Sequence, residues 1–297
     1  MIILSKLFKS ISYKSKTVNN WLNEYKKILS ERNLKPKTME IKTYMIKVIS
    51  QNIGCKKVTH ITPFDINDLI KIYLDQDKAP SAKCMFHLLR DIFREAYAQG
   101  WNDKNPTDPI KCPKVTVKRS RMVLKEFKRI TQEAEKNNQY HYLKDAMITA
   151  LVTGQRRSDI ITMKKSNVKR NYLFIEQYKT GSKIALPTKL TCPKIGISIQ
   201  DIIESSDHEH VIHRKGKSVS AEKITRDFAK IRDKAFKRSY WKGTPTTFHE
   251  IRSLAERLYR EKKVDTMTLL GHKTQATTDR YNDCRGREYK KLKIIGN

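Results

Sequence analysis

The sequence predicts a mainly α-helical fold with a small antiparallel sheet, divided into an all-α first half and an α+β second half. Three observations predict this. The 297 residues exceed the usual span of one domain, and 38% hydrophobic content is enough for packed cores. Apolar residues recur at helical spacing through the first hundred positions, then alternate at strand spacing on either side of a Gly-bearing turn. Between the two patterns, Asn105 to Met122 carries Pro106, Pro109 and Pro113 and has no apolar periodicity.

The elements follow in order. Val18, Trp21, Leu22, Tyr25, Ile28 and Leu29 share one helical face. A second helix is predicted after Pro36-Lys37-Thr38, with Ile41, Tyr44, Met45, Val48 and Ile49. Thr62-Pro63 starts a third through Ile66, Leu69, Ile70 and Tyr73, because threonine caps and proline suits the first turn. Ser81 is expected to cap a fourth, carrying Met85, Leu88, Leu89, Ile92, Phe93 and Ala96 and stopping near Gly100. After a short segment 1–16, residues 17–104 thus form a small helical domain, 105–122 a linker and 123–297 a second domain. There, strands are predicted at 172–175 and 183–186, joined by a turn at 179–182, and at 210–212. Helices are predicted at about 221–236, 248–261, 266–270 and 274–281. No internal repeat is present.

Charge narrows the function. Lys and Arg number 62 against 31 Asp and Glu, a net +31. Such an excess repels itself unless a polyanion neutralises it, which makes nucleic acid the leading partner and predicts salt-sensitive binding. A lysine-rich genome bias and an anionic membrane surface are the blander readings. The linker's Lys111, Lys114, Lys118, Arg119 and Arg121 would let two DNA-binding domains close around a duplex, or serve as a solvated tether. No apolar run approaches the roughly 20 residues that span a bilayer, and Met1 to Ser10 lacks a signal-peptide core. Cys55, Cys84, Cys112, Cys192 and Cys284 form no C-x-x-C pair, which suits a reducing cytosol and argues against structural zinc. His208, His210 and His213 could suggest a metal site, but no Cys or acidic cluster accompanies them. The segment reads as a charged loop entering a strand, and neither metal nor cofactor is expected.

Five signals in the second half carry chemistry. Thr153-Gly154-Gln155-Arg156-Arg157-Ser158-Asp159 ends one helix and begins another; Lys179 sits at the hairpin turn. His249-x-x-Arg252 opens a helix, with Thr247 and Glu250 in a capping-box pattern. Leu269-Leu270-Gly271-His272-Lys273 closes a short helix, and Tyr281 lies nine residues beyond His272. Each alone is weak, since the chain holds 13 tyrosines and an isolated H-x-x-R is more often a surface pair. Together they fit one reaction. Two arginines can grip a phosphate with forked donors, and two histidines and a lysine can donate hydrogen bonds and move protons. A tyrosine hydroxyl can attack phosphorus and keep the energy of the broken bond in a covalent intermediate.

The same stretches are similar to the tyrosine recombinase (phage integrase) family, in its phage lambda integrase branch. They are TGQRRSDI at 153–160, FIEQYKTGSKIALPT at 174–188, TFHEIRSLAERLY at 247–259, LLGHK at 269–273 and RYNDCRGRE at 280–288. WLNEYKKIL at 21–29, KPKTM at 35–39, SAKC at 81–84 and FREAYAQG at 93–100 extend the likeness to about Thr17. The resemblance implies a core-binding domain and a catalytic domain forming a C-shaped clamp on DNA. It assigns Arg156 and Arg252 to the scissile phosphate and Lys179 to protonation of the leaving 5′ oxygen. His249 would assist proton transfer from the tyrosine, and His272 would donate to a non-bridging oxygen. Tyr281 would be the nucleophile of a 3′-phosphotyrosyl bond, and Asp159 a structural support. Implied partners are double-stranded DNA core sites, a homotetramer on recombining DNA, and DNA-bending and excision accessory proteins, in the cytoplasm of a bacterial host near its nucleoid. The tail from Arg285 to Ile295 would pack on a neighbouring subunit; a strand folding back on its own domain is the other reading. Only about 16 residues precede the match, too few for the branch's arm-binding domain, so core-site recognition without arm-site binding is expected. A type IB topoisomerase-like nicking activity and a non-catalytic DNA-binding repressor are the competing functions.

Overall fold

Capping chemistry sets where the first helices begin. In this computed structural model, residues 16–116 and 120–282 are described. The predictions on Met1–Ser10, Lys118, Arg119, Cys284 and the tail from Arg285 lie outside the described residues. Helix α1 (Val18–Glu31) follows Thr17, whose hydroxyl accepts from the Asn20 amide while the Asn20 side chain accepts from Thr17 N at 3.0 Å. Helix α2 (Pro36–Ile53) starts on its proline, and α3 (Pro63–Leu74) follows a reciprocal Thr62–Asp65 cap. Helix α4 (Ala79–Ala98) corrects the sequence reading. It starts behind Lys78 with Pro80 in its first turn, so Ser81 lies inside the helix and caps nothing. Proline's fixed φ and missing N–H cost nothing there, which lets the helix begin earlier than its serine suggests.

The chain divides into two compact units, 1–116 and 117–297. In the first, α1 to α4 bury Trp21, Tyr25, Ile49, Ile66, Leu89, Ile92 and Phe93 in one core. Two of its polar groups are paired: Trp21 Nε1 donates to the Ile92 carbonyl at 3.1 Å, and the Tyr25 hydroxyl donates to Asp91 at 2.5 Å. Two residues assigned to the apolar face of α2, Ile41 and Tyr44, are instead exposed, because the core takes only the narrower stripe of Met45, Ile46, Ile49 and Ile53. The Asn105 side chain accepts from the Thr107 amide and hydroxyl, and Ile110 packs against this core, so 105–110 belong to the unit's packing.

The second unit is built around α6 (His141–Thr153), whose run from Ala146 to Val152 is buried except for Ile148, which is partly buried. Helices α5 (Leu124–Glu135), α9 (Ala221–Ala235) and α10 (Glu250–Arg260) pack on it. Tyr259 of α10 donates to the Val152 carbonyl at 2.7 Å. Shorter helices are α7 (Arg157–Ile160), α8 (Ile199–Ser205), α11 (Thr266–Leu270) and α12 (Gln275–Asn282). A three-stranded antiparallel sheet runs β1 (Val168–Lys169), β2 (Tyr172–Glu176) and β3 (Lys183–Pro187), with Leu173 opposite Leu186 and Ile175 opposite Ile184. Strand β1 was not predicted: two residues carry no alternation, and its turn uses Arg170 and Asn171, both at positive φ.

The predicted strand at 210–212 is displaced. His210 makes one isolated bridge with Lys164 and Val211 N donates to the Met163 carbonyl, while the ladder forms between β4 (His213–Arg214) and β5 (Lys217–Ser218). Val211 and Ile212 are apolar because they pack into the core, not because they pair in a sheet. The capping box predicted at Thr247 and Glu250 is also absent. Helix α10 begins at Glu250 behind His249, Glu250 N donates to the Thr247 carbonyl, and the Glu250 carboxylate accepts from Arg121.

Candidate active site

Two left-handed glycines set the site's geometry. Gly154 ends α6 at φ +66° and Gly271 ends α11 at φ +60°. The first reversal presents the carbonyl of Gly154 and the side chains of Gln155 and Arg156; the second presents His272. A Cβ at Gly271 would also stand 2.7 Å from Gln177 Nε2, so glycine is required there for space as well as for φ.

Arg252, on the first turn of α10, is 1% exposed. Its Nη1 donates to the Gly154 carbonyl at 2.8 Å, and its Nη2 to the Leu270 carbonyl at 2.5 Å. Nη2 also lies 3.1 Å from His272 Nε2. These bonds lock the guanidinium between the two glycine turns, yet its Nε is buried with no hydrogen-bond partner. Burial, then the neighbouring Arg156 charge, lowers its pKa to about 10, which leaves it protonated at neutral pH. A buried cation with an unused donor is suited to receive an anion.

His272 is held from both sides. Its Nδ1 lies 3.0 Å from the hydroxyl of buried Thr278, one turn before Tyr281 on α12. Burial, followed by the charges of Arg252 and Arg156, lowers its pKa to about 4, so the ring is neutral at pH 7. With Arg252 donating to Nε2, the proton belongs on Nδ1 and points to Thr278. Tyr281 lies over this cluster: its ring centroid is 5.2 Å from that of His272 and 5.6 Å from the Arg252 guanidinium. Its hydroxyl is 3.5 Å from Nε2 of exposed His249.

Arg156 enters through an amide relay. Its Nη1 donates to Gln177 Oε1 at 2.9 Å, which also accepts from the Thr180 hydroxyl at 2.8 Å. Gln177 Nε2 donates to Gln155 Oε1 and to the Leu270 carbonyl, and Gln155 Nε2 donates to the Leu269 carbonyl. Lys179 is exposed on the β2–β3 turn between Gln177 and Thr180. Its backbone neighbour Tyr178 donates through N to buried Asp159 at 3.0 Å, and Asp159 lies 4.0 Å from Arg156. The structure therefore gathers Arg156, His249, Arg252, His272 and Tyr281 within one unit and places Lys179 on the adjoining turn.

Sequence reasoning missed four groups that build this arrangement: Gln155, Gln177, Ser253 and Thr278. The first three lie inside stretches already singled out. Gln177 continues the inward alternation of Leu173 and Ile175, and a glutamine in that register is the signal that could have found it. Thr278 offered none, since a threonine near a surface helix end is unremarkable until its burial is known. Among the described residues, no group of three or more His, Cys, Asp or Glu is placed to hold a metal ion.

Comparison with known proteins places the chain in a family. The phage integrase family model matches residues 120–287, more than half of the chain. The integrase of Escherichia phage lambda is 38% identical over 287 residues, spanning 94% of this chain and 80% of that protein. The integrase of Enterobacteria phage 434 has the same identity and the same coverage. The fold is similar to that of a lambda integrase dimer bound to a COC' core site, with TM-score 0.86 and 37% identity, covering 96% of this chain and 82% of that one. A lambda integrase tetramer bound to a Holliday junction gives TM-score 0.86 and 35% identity, covering 97% and 84%. The chain belongs to the phage integrase family and is a tyrosine-type site-specific recombinase.

Proposed function

We propose that Tyr281 is the nucleophile of strand cleavage and that Arg156, Lys179, His249, Arg252 and His272 activate the phosphate it attacks. The carrying observation is the phenol hydroxyl 3.5 Å from His249 with its ring over Arg252 and His272. The phenol oxygen attacks phosphorus as its proton passes toward His249. The bond from phosphorus to the 5′ oxygen breaks, Lys179 protonates that oxygen, and phosphorus stays joined to the 3′ oxygen and to Tyr281. A 5′ hydroxyl from another strand reverses the steps and releases the tyrosine. Arg252 and Arg156 hold charge that grows on the non-bridging oxygens in the five-coordinate transition state. The 3.5 Å contact shortens once the phosphate seats, as is usual for a catalytic hydrogen bond.

His272 contributes to the same anion site. When a bound phosphate draws the Arg252 fork away from Nε2, Thr278 can switch from accepting to donating at Nδ1, and the imidazole then carries its proton on Nε2 and donates that N–H to a non-bridging oxygen. Its folded pKa, about 4, lies below the ordinary 6.5. Its stability contribution is therefore complete above about pH 6.5 and is lost as pH falls towards 4. The His272→Gln variant is expected to melt with a shallower acid dependence over that window. An unchanged slope would show that other groups carry the acid sensitivity.

Core-site duplex DNA is the proposed substrate and a tetramer of this chain the proposed assembly, as in the lambda integrase complexes. The net charge of +31 supports the first. We assign residues 17–104 to core-site binding, 123–297 to catalysis and 105–122 to the linker between them, whose two ends pack into the units they join, with DNA-bending and excision proteins as partners in a bacterial host. No helix among the described residues is long and apolar enough to cross a membrane. A duplex nicked beside the cleavage site tests the reading, because the short leaving fragment diffuses away and traps the intermediate. An SDS-resistant protein–DNA adduct is expected. DNA binding without an adduct would make the chain a binder, and an adduct without strand exchange between duplexes would make it a nicking and closing enzyme.

A further inference from the structure

The last carbonyls of a helix have no partners within it, and a short helix frays from that end. In α12 that end carries Tyr281. Here the two carbonyls are capped from outside. The Arg280 carbonyl accepts from Arg121 Nη2 at 2.5 Å, and the Tyr281 carbonyl accepts from Ser253 Oγ at 2.7 Å. Arg121 Nη1 also donates to Ser253 Oγ at 2.8 Å and to Glu250 Oε2 at 3.1 Å. One guanidinium therefore spans three acceptors on two helices.

Those helices carry the reacting groups. Glu250 follows His249, and Ser253 follows Arg252; both Glu250 and Ser253 are 1% exposed. Arg121 itself is held on a buried stretch: Ser120 N donates to the Thr244 carbonyl at 2.9 Å, and Met122 is fully buried. The end of α12 is thus tied to the start of α10 by a chain of donors running from Arg121 through Ser253 to Tyr281.

We propose that Arg121 is a positioning residue for strand cleavage: with Ser253 it fixes the end of α12 against α10 and so sets the Tyr281 hydroxyl opposite His249 and the phosphate clamp. The proposal rests on the reading of Tyr281 as nucleophile. Its physical basis is leverage. A phenol hydroxyl stands far from its backbone, so slight fraying of the last turn displaces it, and misplacement by about 1 Å can cost on the order of a hundredfold in rate. A forked guanidinium reaches three acceptors at fixed angles, whereas a lysine ammonium is a compact point donor. Arg121 lies in the stretch whose composition reads as a basic tether, and this geometry gives it a role unrelated to phosphate contact.

The test uses the full chain, the nicked core-site duplex and two mild variants, Arg121→Lys and Ser253→Ala. Arg121→Lys keeps the charge beside Glu250, and Ser253→Ala removes one oxygen, so folding is preserved. Adduct formation is timed at saturating enzyme, and affinity and melting temperature are measured alongside. Arg121→Lys is expected to slow the maximal rate about tenfold or more, and Ser253→Ala to slow it less, with affinity and melting temperature unchanged. Unchanged rates in both variants would overturn the proposal. Rates that fall only together with melting temperature or affinity would also overturn it, because the contacts would then be merely structural. A Tyr281→Phe control run in parallel separates the two claims: an adduct formed by that control would defeat the nucleophile assignment itself.

Discussion

Tyr281→Phe is expected to abolish the covalent protein–DNA adduct while leaving fold and DNA affinity intact. The substitution removes one oxygen. The ring keeps its place over the Arg252 guanidinium and the His272 imidazole, contacts that belong to the ring and not to the hydroxyl. Arg252 remains bonded to the Gly154 and Leu270 carbonyls, so the anion site survives. What disappears is the only atom able to bond to phosphorus from that position. Loss of a nucleophile that works as part of a unit lowers the rate on the order of 10⁶-fold. The check is a gel-shift titration paired with an SDS gel of the same samples. Retained shift without adduct is the expected result.

Arg156→Lys is the second large effect, expected at about 10²- to 10³-fold in cleavage rate, the size seen when one oriented donor is lost from a transition-state site. Formal charge is unchanged, so the loss would measure geometry. Arg156 spends Nη1 on Gln177 Oε1, which turns the fork and leaves its remaining donors for a phosphate. A lysine that keeps the Gln177 bond has no second, coplanar nitrogen to offer. Its effect should appear in the maximal rate more than in DNA affinity, because a chain with 62 Lys and Arg has many other cations to offer a phosphate backbone. Full activity of the lysine variant would show that Arg156 acts as charge alone.

Much of this site was legible in the sequence, for a physical reason. The groups of the candidate site sit at turns and helix starts, where glycines and short polar strings mark backbone that must reverse, so Arg156, His272 and the two left-handed glycines stood inside recognisable motifs. The hairpin that presents Lys179 was legible because Leu173 and Ile175 alternate with exposed residues. The support was harder to see. Gln177 and Ser253 act through burial and through bonds to the distant Leu270 and Tyr281 carbonyls, and Thr278 through burial and its contact with the His272 ring; none of these partners is marked by a motif. Arg121 was read as part of a tether because prolines and lysines precede it, yet its partners lie about 130 residues and more further on. The errors at Ser81 and at residues 210–212 share a cause. A cap residue or a short apolar run permits more than one element, and packing by the rest of the fold selects among them.

The central claim is that one particular hydroxyl among 13 tyrosines forms the bond to DNA. Mapping the trapped adduct tests it most directly: nuclease trimming, tryptic digestion and fragmentation by mass spectrometry locate the residual nucleotide. The account predicts a modified peptide that begins immediately after Arg280, with the added phosphate on Tyr281. A nucleotide on any other residue would contradict it, and with it the reading of His249, Arg252 and His272 as groups assembled around that hydroxyl.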